Sequence, residues 1–192
     1  HDYLRAGDCY QVNFARRFST RYQGEPLSAW LRLLARHPAP HASFYRLDDG
    51  QCVFGVSPER FLRVQHGVIT SEPIKGSRPR GATPADDDAI ARALQHSPKD
   101  RAENLMIVDL LRNDLGRVCE PGSITAAPLF ELRRFSNVQH LVSTVRGTLL
   151  SSVRPLEALL RCFPGGSITG APKKRAMEII HELEPVTRGY YC

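Results

Sequence analysis

The stretch Phe163–Ile180, FPGGSITGAPKKRAMEII, constrains this chain most. Small and hydroxylated residues run directly into an amphipathic helix. Pro172 stands where a first helical residue is expected, and its missing N–H costs nothing there. Ala176, Ile179, Ile180 and Leu183 then recur at i, i+3, i+4 and i+7, one apolar stripe that should lie against a core. The helix N-terminus, with free N–H groups and the positive dipole end, faces Gly165-Gly166-Ser167-Ile168-Thr169-Gly170. Three glycines would let a ligand approach the backbone closely. Those are the properties of a phosphate or carboxylate site. A glycine-rich turn that only caps a helix carries the same signature, and local physics alone leans toward it.

The loop fails as a nucleotide triphosphate cradle. Gly165 and Gly170 have the spacing, but Ala171 and Pro172 occupy the positions of the required Lys and Ser/Thr. The totals narrow the choice further. The 192 residues allow one sizeable domain, and 42% hydrophobic with 24% charged residues is ordinary for a globular protein. No apolar run approaches a membrane span, so no membrane association is expected. The net charge of +6 suits an anionic substrate, and the basic residues are too scattered to point to nucleic acid. Five cysteines (Cys9, Cys52, Cys119, Cys162 and Cys192) form no CxxC pair, which points to free thiols and a reducing, cytoplasmic setting. Of 26 basic side chains only Lys75, Lys99, Lys173 and Lys174 are lysines. Arg stays protonated, whereas a Lys amine can act as nucleophile or base.

Residues 9–18 read as a strand, Pro26–His37 as a short helix, and 42–71 as four strands of an antiparallel meander with turns at Asp48-Asp49-Gly50, Ser57-Pro58 and His66-Gly67. Lys75 follows the last of these, between Pro73 and Gly76. Residues 78–85 read as a polar, mobile loop. Helices are expected over 86–95, from Ser97-Pro98 to about Leu115, over 155–162 and after Pro172, with strands near 123–132 and 137–149. The chain end at 188–192 reads as the start of a strand. Strands and helices alternate without a βαβ rhythm, so the class is α+β.

Three groups could carry chemistry. Glu103, Met106, Ile107, Leu110 and Asp114 share one face of the long helix, with Asp100 a turn before. Acids on an apolar face must be paired, neutralised or bound to a hard cation such as Mg²⁺; pairing with one of the many arginines is the simpler reading. Glu59 and Lys75, near strand ends, could form an acid and nucleophile pair or an ordinary ion pair. His140 lies in a strand, where a histidine is more often structural than catalytic.

The segments GDCYQVNFARRF, SPERFL, PIKGSRPRG, DRAENLMIVDLLRNDLGRV, HLVSTVRG and FPGGSITGAPKKRAMEIIHELEP together resemble the chorismate-binding enzymes, in the right order and from about Gly7 onward. The resemblance implies a two-sheet antiparallel sandwich with outer helices, and chorismate bound between the sheets with Mg²⁺. Gly166, Ser167, Thr169 and Gly170 match the substrate-contacting motif, Glu103 a Mg²⁺-binding glutamate, and His140 a histidine beside the ring. Anthranilate-forming members resemble PIAGT where this chain reads PIKGS, and the branch that aminates chorismate at C4 carries PIKGT. In that branch Lys75 would attack C2 of chorismate, Glu59 would protonate the departing C4 hydroxyl, and ammonia from a glutamine amidotransferase partner would displace the lysine. A neighbouring cation or burial is expected to free the amine. The family's N-terminal region and its closing strands, with a second Mg²⁺-binding glutamate, have no match here, and the chain starts at His1 without Met. Residues 1–192 are therefore expected to be part of a catalytic domain, inactive alone.

Overall fold

A computed structural model describes residues 1–190. Short α1 (Asp2–Ala6) and β1 (Gln11–Val12) precede α2 (Pro26–Arg36), β2 (His41–Arg46), β3 (Cys52–Ser57), β4 (Arg60–Gln65), β5 (Val68–Glu72) and β6 (Ile74–Pro79). Two helices follow, α3 (Pro84–Gln95) and α4 (Pro98–Leu115), then β7 (Thr125–Ala126), β8 (Glu131–Arg134), β9 (Val138–Val142) and β10 (Val145–Thr148). The chain continues through α5 (Pro155–Cys162), a 3₁₀ turn at Gly166–Ile168, β11 (Gly170–Ala171) and α6 (Lys173–Leu183).

Every strand pair is antiparallel, as α+β requires. Two larger sheets form, in the orders β4-β5-β10-β7 and β6-β9-β8, with two-stranded ribbons β2-β3 and β1-β11 beside them. The expected single meander over 42–71 is therefore split, because β3 and β4 do not pair. The larger sheets meet where β5 runs into β6 and β9 into β10. Ser71 pairs with Val145 in one sheet and Ile74 with Val142 in the other. Between them Pro73 has no N–H to give to a ladder, and the Ser143 N–H instead reaches the Pro73 carbonyl at 3.2 Å. The run 137–149 thus breaks at Ser143-Thr144 into β9 and β10.

The central helix, α4, packs on both sheets. It is capped by the Ser97 hydroxyl, which accepts from the Asp100 N–H at 3.3 Å, with Pro98 at its first position. Ile107, Val108, Leu111 and Leu115 bury against Ile69 of β5 and Val145 of β10. Each such side chain removed from water stabilises the fold by about 1.5–3 kcal/mol. On the other sheet the Asn104 amide donates to the Leu141 carbonyl at 3.3 Å and accepts from the Ser143 hydroxyl at 2.5 Å.

The strand expected over 9–18 shrinks to Gln11–Val12, because its partner is only Gly170–Ala171. Lys75 does follow a strand, β5, but lies within the next one, β6. Arg78 and Pro79 belong to β6 too, and α3 starts at Pro84 behind the Thr83 cap. Pro172 is the cap of α6, one residue before its first turn. Of the α6 stripe, Ala176 and Ile179 are buried, whereas Leu183 is half exposed. The strand expected at 188–192 meets a turn at Gly189-Tyr190, and its last two residues lie outside the described ones.

Candidate active site

The turn between β3 and β4 presents Glu59, and the first residue of β4 presents Arg60, to a cleft of about 220 Å³. Phe61 and Phe163, edge to face with ring centroids 6.4 Å apart, wall one part of it. Gly165, Gly166 and Ser167 wall another. Across the cleft the Ser167 hydroxyl donates to Glu59 Oε1 at 2.7 Å. Glu59, Gly166 and Ser167, three of the residues singled out from sequence, therefore meet in one place.

The loop that carries Ser167 is fastened by the protein itself. The Thr169 hydroxyl donates to the Gly165 carbonyl at 3.0 Å, and the Asn13 amide donates to the Ser167 carbonyl at 2.9 Å. Close approach to the glycines comes from protein atoms. A Cβ on Gly166 would lie 2.2 Å from Leu110 Cδ2, and one on Gly170 (φ +148°) would lie 2.1 Å from the Gln11 carbonyl oxygen. So Gly166 and Gly170 let the loop seat on α4 and β1, and the face open to a ligand is the Ser167 side. At the start of α6, Lys173 points its ammonium inward, to Asp114 Oδ2 at 2.5 Å and the Cys162 carbonyl at 3.0 Å. This lysine is held within the protein and does not face the cleft.

Lys75, His140 and Glu103 do not line that cleft. Lys75 is half-buried at an irregularity between Ile74 and Ser77, where β6 slips its register against β9. Gly76 beside it takes φ +84°, with a Cβ position only 2.9 Å from Asp100 Cβ on α4; a side chain could not fit there. On β9, His140 is 6% exposed, its Nδ1 2.6 Å from the Ser77 hydroxyl and its ring 5.5 Å from that of Phe135. Burial lowers its pKa, which keeps the imidazole neutral at neutral pH.

The acids of α4 separate by partner. Asp100 is buried and pairs with Arg78 at 2.8 Å, and Asp114 pairs with Lys173. Burial raises the Asp114 carboxyl against the pull of that lysine. Glu103 is different: its side chain is 44% exposed and its ion-pair partner is Lys99 at 3.9 Å. Among the described residues no group of three or more His, Cys, Asp or Glu could hold a metal ion. Four thiols are free: Cys9, Cys119 and Cys162 are buried and Cys52 is partly so, while Cys192 lies outside the described residues. Burial pushes the Cys162 thiol up to about 11, so it is inert.

Sequence reasoning missed Arg60. It lines the cleft and pairs with Glu72 at 2.5 Å, which also holds Arg133 at 2.8 Å. The signal was a guanidinium directly after the candidate acid in SPERF. Ser77 was missed as well, because only strand register shows that it faces His140.

The family model for chorismate binding enzyme matches residues 1–192. This chain belongs to the chorismate-binding enzymes. Among its relatives in that family is aminodeoxychorismate synthase component 1 of Klebsiella aerogenes, 53% identical over 190 residues, which covers 99% of this chain and 42% of that protein. Anthranilate synthase component 1 of Geobacillus stearothermophilus is 43% identical over 190 residues, 99% of this chain and 37% of that protein. The chain thus spans about two fifths of the length of these curated relatives. Among solved structures, anthranilate synthase component I from Streptococcus pneumoniae superposes with a TM-score of 0.84 at 37% identity, over 95% of this chain and 40% of that one. The α+β fold is therefore that of anthranilate synthase component I. No helix among the described residues is long and apolar enough to cross a membrane.

Proposed function

We propose that the protein containing this chain aminates chorismate to 4-amino-4-deoxychorismate, on the route to para-aminobenzoate and folate, with residues 1–192 as part of the catalytic domain. The observation that carries this reading is Lys75 in PIKGS, together with the 53% identical relative named aminodeoxychorismate synthase component 1. Lys75 attacks C2 of chorismate while the C4 hydroxyl departs as water, protonated by Glu59. Ammonia then bonds to C4 and expels the lysine amine, which restores the enzyme. The covalent adduct splits one difficult substitution into two easier ones, and the acid spares the enzyme a hydroxide leaving group. Ser167, with Gly166, Thr169 and Gly170 shaping its loop, receives a substrate carboxylate, and neutral His140 stands beside the ring. Ammonia comes from a glutamine amidotransferase subunit. The free thiols favour a cytoplasmic location.

Mg²⁺ is the proposed cofactor, with Glu103 as its ligand from this chain. Mg²⁺ takes one or two carboxylates and completes its shell with water and substrate oxygens. Glu103 fits that demand, since Asp100 and Asp114 are committed to Arg78 and Lys173. When bound, the ion would neutralise substrate carboxylate charge. Chorismate titrated into the full-length protein should bind more tightly with Mg²⁺, and Glu103→Gln should remove that dependence. Binding indifferent to both would instead mark a non-catalytic anion-binding module.

Anthranilate formation is the second reading, favoured by the 43% identical anthranilate synthase relative. Product analysis after incubation of full-length protein with chorismate, Mg²⁺ and ammonium separates the two. Anthranilate as the product would overturn the proposal.

A further inference from the structure

The loop between α5 and α6 contains Ser167, and both of its ends are tied to one side chain. Asp114, in the last turn of α4, accepts from the Lys173 ammonium at 2.5 Å, and the same ammonium donates to the Cys162 carbonyl at 3.0 Å. Cys162 closes α5 and Lys173 opens α6, so these bonds close the loop over residues 163–172 at its base. The Cys162 thiol adds a 3.6 Å contact to the Asp114 carbonyl. One turn earlier on the same face of α4, Leu110 fills the space that a Gly166 side chain would need. A single helix face thus grips the loop at its ends and its middle.

Stability does not explain the ion pair. The side chains of Asp114 and Lys173 are 1% and 11% exposed, and Asp114 Oδ1 has no hydrogen-bond partner among the described residues. Burying two charges with one lone-pair set unsatisfied costs about as much as the pairing returns, and apolar replacements of such pairs are often neutral or stabilising. The pair gains geometry instead. It sets the distance between Cys162 and Lys173, and with it where Ser167 stands relative to Glu59.

We infer that Asp114 and Lys173 are positioning residues for substrate capture: their ion pair, closed through the Cys162 carbonyl, clips the base of the 163–172 loop and holds Ser167 in register with Glu59. The inference rests on the proposed use of Ser167 and Glu59 on chorismate. Neither Asp114 nor Lys173 lines the cleft, so neither touches substrate there.

The test uses the full-length protein with Lys173→Met and with the double variant Asp114→Asn/Lys173→Met, measuring melting temperature and the KM and kcat for chorismate on each. Lys173→Met leaves a buried carboxylate unpaired, so the melting temperature falls, and the unclipped loop raises KM roughly tenfold or more with kcat changed far less. The double variant leaves no buried charge. Its melting temperature recovers towards that of the parent, while KM stays high. A double variant that regains both would make the pair purely structural and overturn the inference, and so would an unchanged KM in both variants. A parent that makes anthranilate overturns the proposed product but leaves the KM comparison intact. A parent that does not bind chorismate overturns both.

Discussion

The Ser167 hydroxyl and Glu59 Oε1, 2.7 Å apart, join a loop and a turn separated by 108 residues. The bond sets the carboxyl in a cleft walled in part by Phe61, Leu111 and Phe163. Glu59→Gln keeps the size of the side chain and an oxygen that accepts from Ser167, but removes the transferable proton. In the full-length protein kcat should fall by about 10²–10⁴, the usual contribution of a positioned acid, while KM for chorismate changes by no more than about threefold. Initial rates with ammonium as nitrogen donor measure both. A Glu59→Gln protein with parental kcat would remove Glu59 from the chemistry.

Lys75 carries the proposed covalent step. Lys75→Ala should lower 4-amino-4-deoxychorismate formation by about 10³-fold or more, since nothing in the site replaces a nucleophile. With chorismate and no ammonia, the parent should accumulate an adduct on the Lys75 peptide equal in mass to chorismate less one water. Peptide mass spectrometry reads this directly. An unmodified Lys75 under those conditions, with normal turnover once ammonia is added, would exclude the covalent route.

At Gly166 the loop seats against Leu110 of the long helix with no room for a side chain. Gly166→Ala places a methyl 2.2 Å from Leu110 Cδ2. Either the loop lifts or Leu110 moves, and overpacking of this kind costs about 1–3 kcal/mol. A drop in melting temperature is expected, and Leu110→Ala in the same protein should recover part of it by opening the space. If Gly166→Ala alone melts with the parent, the seating of the loop on α4 is wrong.

Legibility of the fold followed how local its causes are. The helices at Pro26, Pro98 and Pro155 were readable because each opens on a proline, and Ser97 adds a cap three residues from its partner N–H at Asp100. Strand extents were not, because pairing is set by the partner. The run CYQVNFARRF has strand composition throughout, yet only Gln11 and Val12 pair as a strand, with the Tyr10 and Asn13 amides bonding at its two ends. The run 137–149 breaks where Pro73, 70 residues earlier, lacks an N–H to offer. The same division holds at the site. The glycine-rich loop and the acid in SPERF were legible as motifs, whereas their meeting was not. Nor could sequence distinguish Lys173, spent on Asp114, from Lys75, for which only the PIKGS context argued.

The loop that carries β6 into α3 supplies a pH test. Asp87 lies 5% exposed at the start of α3 and takes two bonds of 2.8 Å from the Arg80 guanidinium and one of 2.9 Å from the Gly81 N–H. The Arg80 hydrogen bonds first, and then the Gly81 amide, hold its carboxyl at about 2. In the unfolded chain the value returns to about 3.9. The folded value is the lower one, so the unfolded state binds more protons in between. The contribution to stability is therefore complete above about pH 5 and is lost as the pH falls towards 2. Asp87→Asn removes that titration. Urea unfolding should find the variant less stable than the parent at pH 6, with the difference shrinking steadily from pH 5 to pH 2. A gap that stays constant across this range would mean that Arg80 and Gly81 do not hold Asp87 ionised. It would also detach the 80–83 segment, and the anchoring of the Lys75 strand to α3, from this carboxylate.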